Sequence, residues 1–179
     1  MIEGSITPLG LEAWKNRIGL PLRINNIFNS NISEETLRNY VNGIGDINPL
    51  FRDEPYARKT TYGRRIAPPN WLYSVFPTWV LQGLKGVHAF HSGNEWHFYK
   101  PLFLGDRVIP ECIFTGFDVK GSQFAGKTVV EYQKAKFSNQ KRELVAEANA
   151  WLVRAERRSA RKSRKYHHLQ LHSKLFLAL

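Results

Sequence analysis

The chain has 179 residues, 42% hydrophobic and 13% aromatic, enough for one domain with a real core and too few for two comfortable ones. Its single cysteine, Cys112, excludes an intramolecular disulfide framework and a cysteine-based zinc site, which suits a reducing compartment. The net charge of +11 is lopsided: of 26 Lys/Arg and 15 Asp/Glu, residues 154–179 hold eight and one, so residues 1–153 keep 18 and 14 and a net of only +4.

A mildly basic body with a basic tail is the pattern of a solvated appendage, so nucleic-acid binding is the less favoured reading. No apolar run approaches the ~20 residues of a membrane span, and "MIEGSITPLGLEAWKNRIG" is too interrupted and too acidic for a signal peptide. A soluble cytoplasmic protein is expected. Three stretches follow: an N-terminal extension over 1–21, one domain over 22–153, and a basic tail over 154–179. The tail ends on Leu175, Phe176, Leu177 and Leu179, which could dock on a subunit or have no role.

In chain order, a first strand is expected near Leu22 to Phe28. Ser33 can then cap a helix with Glu34 and Glu35 in its first turn, an apolar face of Leu37, Tyr40, Val41 and Ile44, and a stop at Gly43 and Gly45. The polar elbow "GDINPLFRDEPYA" follows, where Asp46 beside Asn48 and Pro49 can close a turn or serve as one half of an acid/base pair. "PPNWLYSVFPTWVLQGL" reads as a helix from about Pro69 to Leu84, apolar on nearly every side and therefore buried, with a kink where Pro77 removes a hydrogen bond.

From His88 the period changes to two, and segments 88–100, 107–119, 127–138 and 143–154 read as strands. In the last, Leu144, Ala146, Ala148, Ala150 and Leu152 face one way, with small residues that let a helix lie close. Val145, Glu147, Asn149, Trp151 and Val153 face the other. Long antiparallel strands around one apolar helix make an α+β hot-dog arrangement. On a regular strand His91, Glu95 and His97 would share a face, a spacing open to a second acid/base pair; no third ligand is placed to make a metal site.

"GDINPL" followed by "DEPYA", then "YGRRIAPP", then "EWHFYKPLFLGD" resembles the MaoC-type hot-dog hydratases and dehydratases, in particular the FAS1-like dehydratase branch, over roughly residues 20–153. The resemblance implies an Asp at the elbow and a His five residues on, which together add water to a 2-enoyl thioester or run the reverse dehydration. It also implies an Ala-His-Gly stretch whose backbone amide meets the thioester oxygen at the start of the buried helix. Such chemistry needs a base for the water, an acid for the α-carbon and a donor for the enolate oxygen.

Here Asp46 matches the Asp, but the His position is Phe51, and Ala-His-Gly has become Ala67-Pro68-Pro69. Proline has no amide to donate. The resemblance therefore implies a non-catalytic half that shapes the acyl-thioester site for a catalytic MaoC-like partner, as a heterodimer or homodimer. The substrate would be an acyl-CoA or an acyl carrier protein thioester, with no cofactor. Asn48, Tyr62, Ile66, Ala67, Pro68 and Trp71 are the candidate substrate-binding wall, and Arg64 and Arg65 could meet a coenzyme A phosphate. Alternatives are a self-sufficient homodimeric hydratase using Asp46 with His91 or His97 as a relocated base, and an acyl-thioester binding module without turnover.

Overall fold

The period-two segments become four antiparallel strands, β1 His88–Phe98, β2 Ile109–Ser122, β3 Gly126–Ser138 and β4 Leu144–Ala155, in the sheet order β1-β4-β3-β2. The structure, a computed structural model, describes residues 4–22, 27–75, 84–123 and 125–156. Among the described residues five helices precede the sheet: α1 Pro8–Lys15, α2 Glu34–Gly43, α3 Pro49–Arg52, α4 Glu54–Arg58 and α5 Trp71–Val75. The architecture is the α+β hot-dog fold that the sequence predicts.

One face of the sheet is buried because apolar side chains recur at every second position. Ala135 of β3 opposes Ala148 of β4 and Cys112 of β2, Phe137 opposes Ala146, and the buried Gln133 opposes Ala150 and Phe114. Directly opposed residues of antiparallel strands share a face, so these side chains form one inner surface. Trp71, Leu72 and Val75 of α5 belong to the same buried cluster. Helix α5 begins at Trp71 rather than Pro69, because Pro68 and Asn70 close two preceding turns by accepting from the amides of Trp71 and Tyr73. The remainder of the expected helix, including Pro77 and the expected kink, lies outside the described residues.

The expected strand near Leu22 to Phe28 is partly outside the described residues. The described residues on either side run beside β2 and the residues just before it: Pro21 bridges Ile113, Leu22 N–H donates to the Cys112 carbonyl, and Asn31 bridges Arg107. The expected N-terminal extension is built into the domain. Thr7 caps α1, and Trp14 is fully buried edge-on to Phe114 and Phe117, with ring centroids 5.7 and 5.6 Å away. At the other end β4 continues through Ala155, two residues into the stretch assigned to the tail, and residues 157–179 lie outside the described residues.

Beneath Trp14 the inner face carries charge. Arg154 Nε donates to Glu131 Oε2 at 2.6 Å, Gln133 Nε2 donates to Glu131 Oε1 at 2.6 Å, and all three residues are buried. Burial pushes the Glu131 carboxyl up, opposed by the hydrogen bond and charge of Arg154. Removing one partner strands the other in a medium that cannot solvate it. Arg154→Met should therefore cost about 3–5 kcal/mol in denaturant unfolding, whereas Arg154→Met with Glu131→Leu should recover most of that loss. Equal losses in the single and double variants would show that the ion pair is not what holds this end of the sheet.

Candidate active-site pocket

The elbow is held by side chains closing local turns. Asp46 Oδ1 accepts from the Asn48 amide at 2.9 Å, Asn48 Oδ1 caps α3 from the Leu50 amide at 3.0 Å, and Asp53 Oδ1 caps α4 from the Tyr56 amide at 3.1 Å. Arg52 donates to the Asp46 carbonyl at 2.6 Å and to the Asn42 side chain. Phe51, at the position where the resembled family carries its His, is buried in the core. No imidazole stands there to pair with Asp46.

Arg65 is bound on several sides. It makes an ion pair and hydrogen bonds with Glu34 of α2, approaches Glu54 of α4 at 3.4 Å and donates to the Arg52 carbonyl at 3.4 Å. Its side chain is only 11% exposed, so it staples the elbow to two helices. The hydrogen bond from Arg65 holds the Glu34 carboxyl below the usual carboxylate range, and Glu34 in turn raises Arg65. Arg64 points elsewhere, its guanidinium 4.0 Å above the Phe103 ring.

Beyond Arg65 the chain pairs with the segment after β1. Leu104 donates to the Arg65 carbonyl, Ile66 bridges Phe103, and Ala67 donates to Leu102 at 2.8 Å. Between these two segments lies an open, mainly apolar pocket of about 220 Å³. Of the predicted wall, Tyr62, Ile66, Ala67 and Pro68 line it, together with Leu72 of α5 and Phe98 at the end of β1. Trp71 does not: it is fully buried, packs edge-on against Tyr40 and donates Nε1 to the Asn29 carbonyl. Asn48 is spent on its cap. The far wall, Phe98 to Leu102, was not singled out from the sequence, although "FYKPL" sits inside a motif that carried the resemblance.

Backbone donors at the helix entrance are nearly all committed. Ala67 N–H is bound to Leu102, Pro68 and Pro69 have none, and Trp71 N–H is bound to Pro68. Within residues 67–71 this leaves Asn70 as the one amide without a protein partner. An oxyanion at this entrance therefore receives no donor from residues 67–69.

The histidines do not form the arrangement expected of a regular strand. β1 carries a bulge at Ser92: His91 opposes Leu152, while Gly93 opposes Trp151, Glu95 opposes Asn149 and His97 opposes Glu147. The extra residue reverses the alternation, so His91 lies on the face opposite to Glu95 and His97, and the predicted shared face is corrected. Gly93 is required at the bulge exit, because a Cβ there would stand 2.5 Å from the Trp151 ring. His97 Nε2 lies 3.8 Å from Glu95 Oε1, both well exposed on the outer face. Neither histidine lines the pocket.

Residues 23–148 match the family described as "FAS1-like, dehydratase domain region". An "UPF0336 protein" of Parafrankia sp. is 26% identical over 129 residues, covering 68% of this chain and 82% of that protein. An (R)-specific enoyl-CoA hydratase of Aeromonas caviae is 34% identical over 70 residues, covering 39% of this chain and 52% of that protein. Among solved structures, the ChsH1-ChsH2 complex of Mycobacterium tuberculosis superposes with a TM-score of 0.62 at 19% identity, covering 82% of this chain and 94% of that one. The R-hydratase PhaJ1 of Pseudomonas aeruginosa gives 0.56 at 21%, covering 78% and 82%. At these identities the structural likeness establishes the hot-dog fold.

The Asp46 geometry makes a direct prediction. Asp46→Ala removes the acceptor for Asn48 N–H and should cost about 0.5–2 kcal/mol by denaturant unfolding, the size of a lost cap. Asp46→Asn keeps an acceptor and should stay close to the parent protein. Equal destabilisation by both would show that the carboxylate charge, not the turn, is what matters.

Proposed function

Because the chain belongs to the FAS1-like dehydratase domain family, we propose that it is the substrate-shaping half of an enoyl-thioester hydratase or 3-hydroxyacyl-thioester dehydratase. Its apolar pocket receives the acyl thioester of a CoA or acyl carrier protein in fatty-acid metabolism, in the cytoplasm. The partner protomer, a catalytic MaoC-like subunit or a second copy that completes the cleft, supplies the proton-transfer groups. In hydration, water adds its hydroxyl to the β-carbon and a proton goes to the α-carbon; neither Asp46 nor a histidine lines this pocket to make those transfers.

The observation that carries the reading is the emptiness of the entrance chemistry: Phe51 in the core, Pro68 and Pro69 without amides, and Ala67 N–H already bound to Leu102. An apolar pocket has been kept where the catalytic parts are missing. The relatedness supports the substrate class, since similar proteins include the (R)-specific enoyl-CoA hydratase and a mitochondrial 3-hydroxyacyl-[acyl-carrier-protein] dehydratase of Arabidopsis thaliana. Two solved likenesses, ChsH1-ChsH2 and HadBC of Mycobacterium tuberculosis, are complexes, which favours the paired assembly.

The purified chain alone should not hydrate crotonyl-CoA at a rate above background, followed by loss of enoyl absorbance. Phe51→His should not by itself confer turnover, because the missing amide at the enolate oxygen is worth about 10²–10³ in rate. Turnover by the unmodified chain, abolished by Asp46→Ala or His97→Ala with the fold intact, would overturn the proposal in favour of a relocated base.

A further inference from the structure

The outer face of the sheet is divided into an apolar half and a charged half. Phe90 opposes Val153, which opposes Val130; Gly93 opposes Trp151, which opposes Tyr132. Opposed residues share a face, and the intervening row of His91, Leu152 and Glu131 belongs to the inner side, where Glu131 is fully buried. Phe90, Val130, Tyr132, Trp151 and Val153 therefore stand together on the outer side. Phe90 is 55% exposed and the other four are partly exposed. Farther along the same face the side chains are charged, with Glu147 between Lys134 and Lys136.

A contiguous apolar patch of this kind is unfavourable in water and marks a docking surface. Its place in the chain indicates the occupant. The patch lies at the end of the sheet where β4 finishes at Ala155, so residues 157–179, which lie outside the described residues, begin beside it. Residues 157–168 carry six Arg or Lys and no acid. In residues 169–179 the pattern changes: Leu169, Leu171, Leu175, Leu177 and Leu179 stand at every second position, broken by Ser173. That is the period of a segment with one apolar side. Twelve extended residues reach about 40 Å, while crossing from β1 to β3 takes about 10 Å. A tethered segment also meets the patch at an effective concentration of about millimolar, which favours it over a separate partner.

We propose that the outer face of β1, β4 and β3 is the docking site for residues 169–179 of the same chain, whose leucines cover Phe90, Val130, Tyr132, Trp151 and Val153. The basic stretch 157–168 is the hydrated tether. Docking withholds this face from other copies of the chain. The inference stands apart from the thioester reading, because neither the patch nor the segment touches the apolar pocket's lining.

Photo-crosslinking of the full chain tests this. Benzoylphenylalanine in place of Leu175 or Leu177 should join, on irradiation, to peptides carrying Phe90, Val130, Tyr132, Trp151 or Val153. The product should run as a single chain on a denaturing gel, with a yield independent of protein concentration. Phe90→Glu, at the most exposed member of the patch, should cut that yield several-fold; Phe90→Ser reads the same loss where the glutamate disturbs the sheet. In the full chain without the photoprobe, Leu175→Asp with Leu177→Asp should uncover the patch and raise the fluorescence of added anilinonaphthalene sulfonate several-fold. Cross-links to other surfaces, no cross-links, a yield indifferent to both Phe90 substitutions, or unchanged dye fluorescence overturns the proposal. Cross-links to the same peptides that form only between chains and fall on dilution assign the face to a second copy, and overturn it as well.

Discussion

A four-stranded sheet with one apolar face must have that face covered, and the side chains on it set how closely the cover can approach. Here Ala146, Ala148 and Ala150 make the centre of the face shallow, while Phe114 and Phe137 fill its flank. Helix α5 enters the same core through Trp71, Leu72 and Val75. Because that entrance is tied through Ala67 and Ile66 to the segment after β1, the apolar pocket arises where helix start and strand end meet. The elbow is brought alongside by Arg65, which reaches back to α2 and α4.

That arrangement explains why the helix entrance is the sensitive place for chemistry. Two prolines there preserve the chain's path, since Pro68 still accepts from Trp71 N–H, yet they take away donors. Phe51 likewise preserves packing while taking away a proton acceptor. Each change is compatible with the fold, and the proposed role asks no more of this protomer than to keep its shape while proton transfer falls to the other.

Much of this was legible in the sequence because periodicity and local capping act over a few residues. The four strands appear within three residues of their expected ends, and Ser33 caps α2 in a capping box completed by Thr36. The elbow's turn chemistry followed from Asp46, Asn48 and Pro49. What escaped were features set by long-range pairing. The bulge at Ser92, which turns His91 away from His97, comes from the fit of Gly93 against Trp151. The buried Glu131–Arg154 pair looks like two ordinary surface charges until β3 and β4 are aligned, and Arg154 reads as the start of a basic tail. Trp14 fell within the expected N-terminal extension because nothing nearby in sequence indicates its partners, Phe114 and Phe117. The far wall of the pocket was hidden for the same reason.

The central proposal is that the apolar pocket of this chain receives an acyl thioester without supplying the proton-transfer groups. The most direct test is a crystal structure of the protein with butyryl-CoA. The account predicts the acyl chain between Ile66, Leu72 and Phe98, with the thioester oxygen receiving no hydrogen bond from residues 67–69 and no histidine of the same protomer within reach of the β-carbon. A thioester lying instead against Asp46 and His97 of one protomer, or a pocket left empty at saturating ligand, would contradict it.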